Sequence, residues 1–427
     1  MTCSEWKKTN MREIAYINPD FINKNYAFSE IEYIDIASVG TGTLFGTETV
    51  SLKDASVRAK RLVKDGDTIL STVRPNRRSF YYIKKTKPNL VVSTGFAVLR
   101  AKPNVNCKYL YYLINDQRFS DYLSACAKGA AYPAVDNEII ERAEFTIPSD
   151  KKEQEKIACI LSNYDSLIAN NSLRIQILES MAKLIYIEWF VKFKFPGHES
   201  IGMVDSGTSL WEIPDGWKVK RVYDIVDIQK GFSYKSENLV DDGKIAFINL
   251  KCFERGGGFR YDGLKRFEGD FKEKHVVKCG DIVLAVTDMT QNREIVARAA
   301  RIPKLNENTI IISMDVVKIN PKNNLDKTWI YGLLNYSSFG ITMKEFANGV
   351  NVLHLKSEPI GEYQFVMPDQ KSIDAYSQIV SRVYNEIDNL QLKNQNLVAT
   401  RNLLLPKLVS GEIDVSKLDI KISEEAT

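Results

Sequence analysis

Two short stretches decide how this chain is organised: Lys64-Asp65-Gly66-Asp67-Thr68-Ile69-Leu70 and Lys278-Cys279-Gly280-Asp281-Ile282-Val283-Leu284. Both read Lys-x-Gly-Asp and then run into apolar residues, at an offset of 214. Upstream, Trp6-Lys7 with Ile14 and Ile17 is answered by Trp217-Lys218 with Ile225 and Ile228, at an offset of 211. Downstream, Gly129, Pro148 and Tyr164 are answered by Gly349, Pro368 and Tyr384, at 220. The offset only grows, as it does when a second copy acquires short loop insertions. An ordered, collinear series of this kind reads as an internal duplication.

Each copy has the same anatomy. It opens with a mixed region holding short β-type runs, such as Val91-Val92-Ser93-Thr94 and Ile310-Ile311-Ile312, and closes with a turn that launches a long helix. Ser149 or Asp150 in the first copy, and Asp369 in the second, suit the helix N-cap. The division expected is a first domain over 1–149, a helix over 150–194 and a linker over 195–214. A second domain over 215–369, a helix over 370–412 and a frayed tail over 413–427 follow. The linker is read from Pro196, Gly197, Gly202, Ser206 and Gly207.

A heptad seam runs through the first helix: Ile157, Leu161, Tyr164, Ile168, Asn171, Ile175, Leu178, Ala182, Ile185, Trp189. The second steps identically through Tyr376, Val380, Val383, Ile387, Leu390, Asn394, Leu397, Arg401, Leu404 and Leu408. Aligned antiparallel, the seams bring Asn171 and Asn394 into one layer, where two amides satisfy each other and set the register. Overlaid parallel, each asparagine faces an aliphatic residue, so the antiparallel coiled coil is expected. The plainer alternative is two amphipathic helices, each packing on its own domain.

The chain has 427 residues, 44% hydrophobic and 26% charged, which fits a folded protein of two or three domains. With 58 Lys+Arg against 54 Asp+Glu the net charge is only +4, so nucleic-acid binding has to be argued from local clustering. Six scattered cysteines without a Cys-x-x-Cys pair, and three histidines, leave little for zinc or triad chemistry. No metal site is expected. The opening residues carry no apolar run and no stretch approaches a membrane span, so a cytoplasmic protein without membrane contact is expected.

Residues 74–87 carry six cations and three aromatics with no acid. Arg74, Asn76, Arg77, Arg78, Lys84 and Lys85 there suit phosphates and base edges, while a solvated basic hairpin is the bland alternative. At the corresponding place the second copy offers Thr287, Gln291, Asn292 and Arg293. Lys128-Gly129-Ala130-Ala131-Tyr132 matches Asn348-Gly349-Val350-Asn351-Val352, offering Lys128 and Tyr132 in one copy and Asn348 and Asn351 in the other, and Lys230 precedes a further glycine. If both copies read DNA, different loops on a shared frame read different sequences.

Enzyme signals fail. Val39-Gly40-Thr41-Gly42 lacks the following helix and acidic residue of a nucleotide loop, and there is no phosphate loop or base-flipping Asn-Pro-Pro-Tyr motif. Pro368-Asp369-Gln370-Lys371 lacks the second acid of a nuclease. No catalytic residue is assigned.

Together these features resemble the specificity subunit of type I restriction-modification systems over essentially the whole chain. The resemblance rests on Ile213-Pro214-Asp215-Gly216-Trp217-Lys218, on Trp189-Phe190-Val191-Lys192-Phe193, and above all on Leu404-Leu405-Pro406-Lys407-Leu408-Val409-Ser410-Gly411-Glu412-Ile413. The first copy departs by opening with Ser4-Glu5-Trp6, which touches only its boundary. The resemblance implies an α/β (α+β) fold with two pseudo-symmetric target-recognition domains held apart by the antiparallel helices. Each domain would read half of a bipartite, gapped double-stranded DNA site. Modification subunits carrying S-adenosylmethionine, two of them, would dock on the chain, and restriction subunits using ATP and Mg2+ would join. The chain itself would hold no cofactor and catalyse neither step.

A seam from Ile157 to Trp189 spans roughly 48 Å at about 1.5 Å per residue, longer than the roughly 34–36 Å between half-sites one DNA turn apart. The rival functions are a DNA-reading adaptor for another effector, a coiled-coil scaffold that binds no DNA, and, least supported, an enzyme in its own right.

Overall fold

The computed structural model describes residues 5–129, 132–290, 292–305 and 307–420. It divides into two compact units, Met1–Asn170 with Asn394–Thr427, and Asn171–Lys393. Each unit holds one copy of the repeat and parts of both long helices. The helices are therefore shared between the units rather than standing as domains of their own.

The duplication is reproduced strand by strand. Lys7 faces Ile147 as Lys218 faces Met367, each in a two-stranded antiparallel ladder. Ala15 faces Ala101 as Val226 faces Pro321. Thr68 faces Leu99 as Ile282 faces Ile319. In a second sheet, Ile34 runs parallel to Val92 as Ile248 runs parallel to Ile312. The offsets of 211, 214 and 220 read from the sequence are thus the offsets between corresponding ladder positions.

The Lys-x-Gly-Asp stretch works as a turn entering the central strands Thr68–Ser71 and Ile282–Ala285. In both copies the aspartate bends back to accept the backbone N–H of the lysine, at 2.8 Å for Asp67 and 2.9 Å for Asp281. Both carboxylates are buried and must be paired. Arg100 grips Asp67 with two nitrogens, each at 2.8 Å. Lys318 at 2.8 Å and Lys327 at 2.6 Å do the same for Asp281. The motif is a structural keystone, solved with different cations in the two domains.

The long helices span Lys151–Tyr186, extended by a π-turn over Ile187–Val191, and Gln370–Val409. Asp150 is the cap of the first, accepting the Lys152 N–H at 2.9 Å. Asp369 caps the second through Ser372 and also accepts the Trp217 indole N–H, both at 2.9 Å. Within the first unit, Lys156 reaches the Ser416 carbonyl, Asp165 pairs with Arg401, and Asn394 donates to the Ile168 carbonyl at 3.4 Å. Within the second, Arg174 pairs with Glu386 and Tyr186 packs edge-on against Tyr376. Early residues of one helix meet late residues of the other, which is the antiparallel sense.

Two segments expected to be irregular are folded. In residues 195–214, Phe195 stacks on Trp217 at 4.7 Å, Ile213 is buried, and Met203–Asp205 pairs with Glu212–Pro214. The apolar residues between the glycines find a tryptophan to cover, so the stretch is not a free linker. After the second helix, Val415 is fully buried, and a side chain at Gly411 would strike the Trp6 ring at 2.8 Å. Residues 413–420 are therefore folded back rather than frayed, and residues 421–427 of the expected tail lie outside the described residues. Among the described residues no helix is long and apolar enough to cross a membrane.

Candidate nucleic-acid interface

In the first domain the chain leaves strand Thr68–Ser71, makes a short helical turn over Pro75–Arg77 and enters strand Phe80–Tyr82. Arg74 and Arg78 flank the turn in left-handed conformation, φ 49° and 54°. This loop is laced to the one beginning at Lys128. The Arg74 N–H bonds to the Pro133 carbonyl at 2.7 Å, the Val135 N–H bonds to the Thr72 carbonyl at 2.9 Å, and Ala134 bridges to both Val73 and Lys128.

The arginines of this loop have different jobs. Arg78 turns inward and donates to the Asn115 carbonyl, to Asn115 Oδ1 and to Gln117 Oε1. It ties the loop to the junction between helices Cys107–Asn115 and Gln117–Cys126. Arg78 therefore tethers the loop, its guanidinium held by the protein's own acceptors. Arg74 lays its guanidinium over the Tyr132 ring at 4.9 Å. Asn76 and Arg77 are exposed at the tip, with Lys128 and Tyr132 exposed beside them.

Lys84 and Lys85 belong elsewhere. They lie at the other end of strand Phe80–Tyr82, beside Thr86, whose N–H bonds to Asp65, and Lys87, which pairs with Glu32 at 3.0 Å. The basic run read as one patch is two patches separated by a strand.

The second domain repeats the lacing with other residues. Thr287 and Asp288 pair with His354 and Leu353, Asn348 bridges to His354, and the Leu355 N–H bonds to the Val286 carbonyl at 2.8 Å. Gly129 and Gly349 occupy matching places with φ of 101° and 153°, where an L side chain is strained; a Cβ on Gly349 would sit 1.9 Å from the Val352 carbonyl oxygen.

The loop after Asp288 is five residues longer than its counterpart, as the ladders Leu70–Phe80 and Leu284–Ala299 show. Asp288 organises the extra length: its carboxylate accepts the N–H groups of Thr290, Ile295 and Val296 at 2.7, 2.6 and 2.9 Å. Burial alone would raise its pKa, but these donors hold it below the usual carboxylate value.

Two expected readers are spent within this loop. Thr287 is buried with its hydroxyl donated to Asp315 at 2.9 Å. Arg293, at φ 52°, donates to the Lys344 carbonyl at 2.9 Å. Asn292, Asn348 and Asn351 are exposed. Gln291 lies outside the described residues. Lys230 is exposed at the end of strand Val226–Lys230, away from the laced loops in the chain.

Sequence reasoning overlooked Met289 and Val350, which are 73% and 91% exposed at this tip. Their signal was an apolar residue inside a polar loop, in both halves of the lacing.

The glycine loop Val39-Gly40-Thr41-Gly42 serves the frame. The Gly42 N–H bonds to the Phe80 carbonyl at 2.9 Å, and the Gly258 N–H bonds to Ala299 in the same way. Its backbone is used by the protein.

The sequence profile of the type I restriction modification DNA specificity domain matches the chain twice, over residues 3–180 and 214–397. The specificity subunit of type I restriction enzyme MjaIX from Methanocaldococcus jannaschii is 27% identical over 387 residues, covering 87% of this chain and 83% of that one. The HindI specificity subunit from Haemophilus influenzae is 21% identical over 473 residues, covering 96% and 100%. The crystal structure of the type I restriction-modification S subunit from M. genitalium shares the fold, with a TM-score of 0.56 at 16% identity over 96% of this chain and 99% of that chain. The chain belongs to the type I restriction-modification DNA specificity family and carries the family's domain once in each copy of its repeat.

Proposed function

We propose that this chain is the sequence reader of a type I restriction-modification complex, with each domain reading one half of a bipartite, gapped site on double-stranded DNA. The observation that carries the reading is two unlike tips built on like frames. Asn76, Arg77 and Tyr132 are exposed on the laced loops of the first domain, and Met289, Asn292 and Asn351 on the matching loop pair of the second. A conserved frame with exchanged tips is what two different half-sites require. Arg74, Lys128 and Lys230 supply phosphate contacts that hold the duplex in register.

In this reading, two modification subunits bring S-adenosylmethionine and restriction subunits bring ATP and Mg2+. The complex works in the cytoplasm, and this chain binds DNA without catalysing methyl transfer or cleavage. Asn171 and Asn394 set the helix register, and the helices act as the ruler between half-sites.

Methylation mapping by single-molecule sequencing, in cells with and without this chain and with its modification partner present, tests the proposal. A gapped methylated motif that appears only with the chain is the expected result. Absence of any motif, together with failure to co-purify with the modification subunit, would leave an adaptor for another effector or a scaffold.

A further inference from the structure

The two tips occupy the same place in their domains but differ in chemistry. In the first domain the exposed residues are polar and cationic. Among the described residues, nothing holds the side chains of Asn76 or Arg77, and Arg74 has its guanidinium over the Tyr132 ring without an acid partner. The tether Arg78 fixes the end of the turn, so Arg77 projects from a short, held segment.

In the second domain the arginines of the corresponding loop are used internally. Arg293 holds the Lys344 carbonyl, Arg298 is half-buried with Nε donated toward the Glu294 carbonyl at 3.4 Å, and neighbouring Arg255 pairs with Glu294. What the tip presents instead is Met289 and Val350, with the amides Asn292 and Asn351. Met289 directly follows strand Thr287–Asp288, whose Asp288 faces Leu353, and Val350 lies in the turn between the Asn348 bridge and Leu353, so both belong to one laced loop pair.

Major-groove chemistry separates these surfaces. A guanidinium fork matches guanine O6 and N7, an amide matches adenine N6 and N7, and the thymine C5 methyl is the apolar group that the groove displays. An apolar side chain set against guanine leaves two acceptors without donors as water is displaced, which is costly. Set against a thymine methyl, the same side chain gains by burial.

Resting on the reading of both tips as DNA-facing, we propose that the two domains select opposite base-pair chemistry. The first reads a G·C pair through Arg77. The second reads A·T pairs, with Met289 and Val350 against thymine methyls and Asn292 and Asn351 on adenine edges.

The test uses the full chain in complex with its modification subunits. Methylation mapping first defines the gapped motif. Binding is then measured on duplexes in which the thymines of one half-site are replaced by uracil, which removes only the methyl, or the guanines by 7-deazaguanine, which removes N7.

Uracil is expected to weaken binding about threefold for each methyl contacted, in one half-site only. The double variant Met289→Ser with Val350→Ser is expected to bind thymine and uracil duplexes equally there, which assigns that half-site to the second domain. 7-Deazaguanine in the other half-site is expected to cost about tenfold, a penalty absent in Arg77→Ala. Each comparison is a ratio within one protein, so a modest loss of stability does not imitate it.

A gapped motif whose uracil sensitivity survives in Met289→Ser with Val350→Ser, or whose half-sites are both indifferent to uracil, overturns the inference and leaves the specificity role standing. No chain-dependent motif at all overturns both.

Discussion

Arg78 grips Asn115 through both its backbone carbonyl and its side-chain oxygen, so a residue adjacent to the exposed Arg77 is held by the frame. This contact fixes one end of the Arg74–Arg78 loop to a helix junction 37 residues away.

Arg78→Ala should therefore lower stability by about 1–2 kcal/mol through the bonds it leaves unmade. It should also blur the first half-site, leaving the second unchanged. Urea unfolding gives the first quantity and methylation mapping the second. A clean switch to a different first half-site, with unaltered stability, would make Arg78 a reader.

Asp281 carries a pH signature. Burial alone raises its pKa, but hydrogen bonds from Lys318, Lys327 and the Lys278 N–H outweigh it and hold the folded value below the ordinary one. A depressed carboxyl contributes stability that is complete above its unfolded value, about pH 4, and is lost as pH falls through the folded value. Asp281→Asn should be less stable than the parent at pH 7, and the difference between the two should shrink in acid. Parallel unfolding curves from pH 7 to pH 3 check this; a constant difference would refute it.

Arg301 and Asp388 form a largely buried ion pair within the second unit, with the guanidinium 5.0 Å from the centre of the Tyr384 ring. It binds strand Ala299–Arg301 to helix Gln370–Val409. Removing one partner should cost about 3 kcal/mol, whereas Arg301→Met combined with Asp388→Leu should recover most of that loss. A double-mutant cycle on thermal stability measures the coupling.

The ruler role makes its own prediction. Removing one heptad from helix Lys151–Tyr186 shortens it by about 10 Å and should change the gap between half-sites while sparing their sequences. Selection from a library of spacer lengths reads the gap directly. An unaltered gap would dispose of the ruler.

Much of the architecture was legible in the residues because its signals are local. The Lys-x-Gly-Asp turns, the strand runs around Val91 and Ile311, and the cap at Asp369 each act within a few residues of where they stand. The helix seams were legible for the same reason, since their period is a property of the helix alone. Residues 195–214 misled because glycine and proline were counted, while the tryptophan that Phe195 stacks on lies beyond the segment.

Two copies of one frame, two long antiparallel helices and a DNA-reading family were thus determined by the sequence itself, through periodicity and motifs that need no distant partner. Which side chains are free to read was decided only by the tertiary structure. Arg77 and Arg78 are neighbours of one chemical type, and Asn115 separates them. Arg293 looks available until the Lys344 carbonyl arrives from another helix, and Thr287 until Asp315 takes its hydroxyl. A side chain's availability depends on what the fold brings against it, and that is not written within its own stretch of chain.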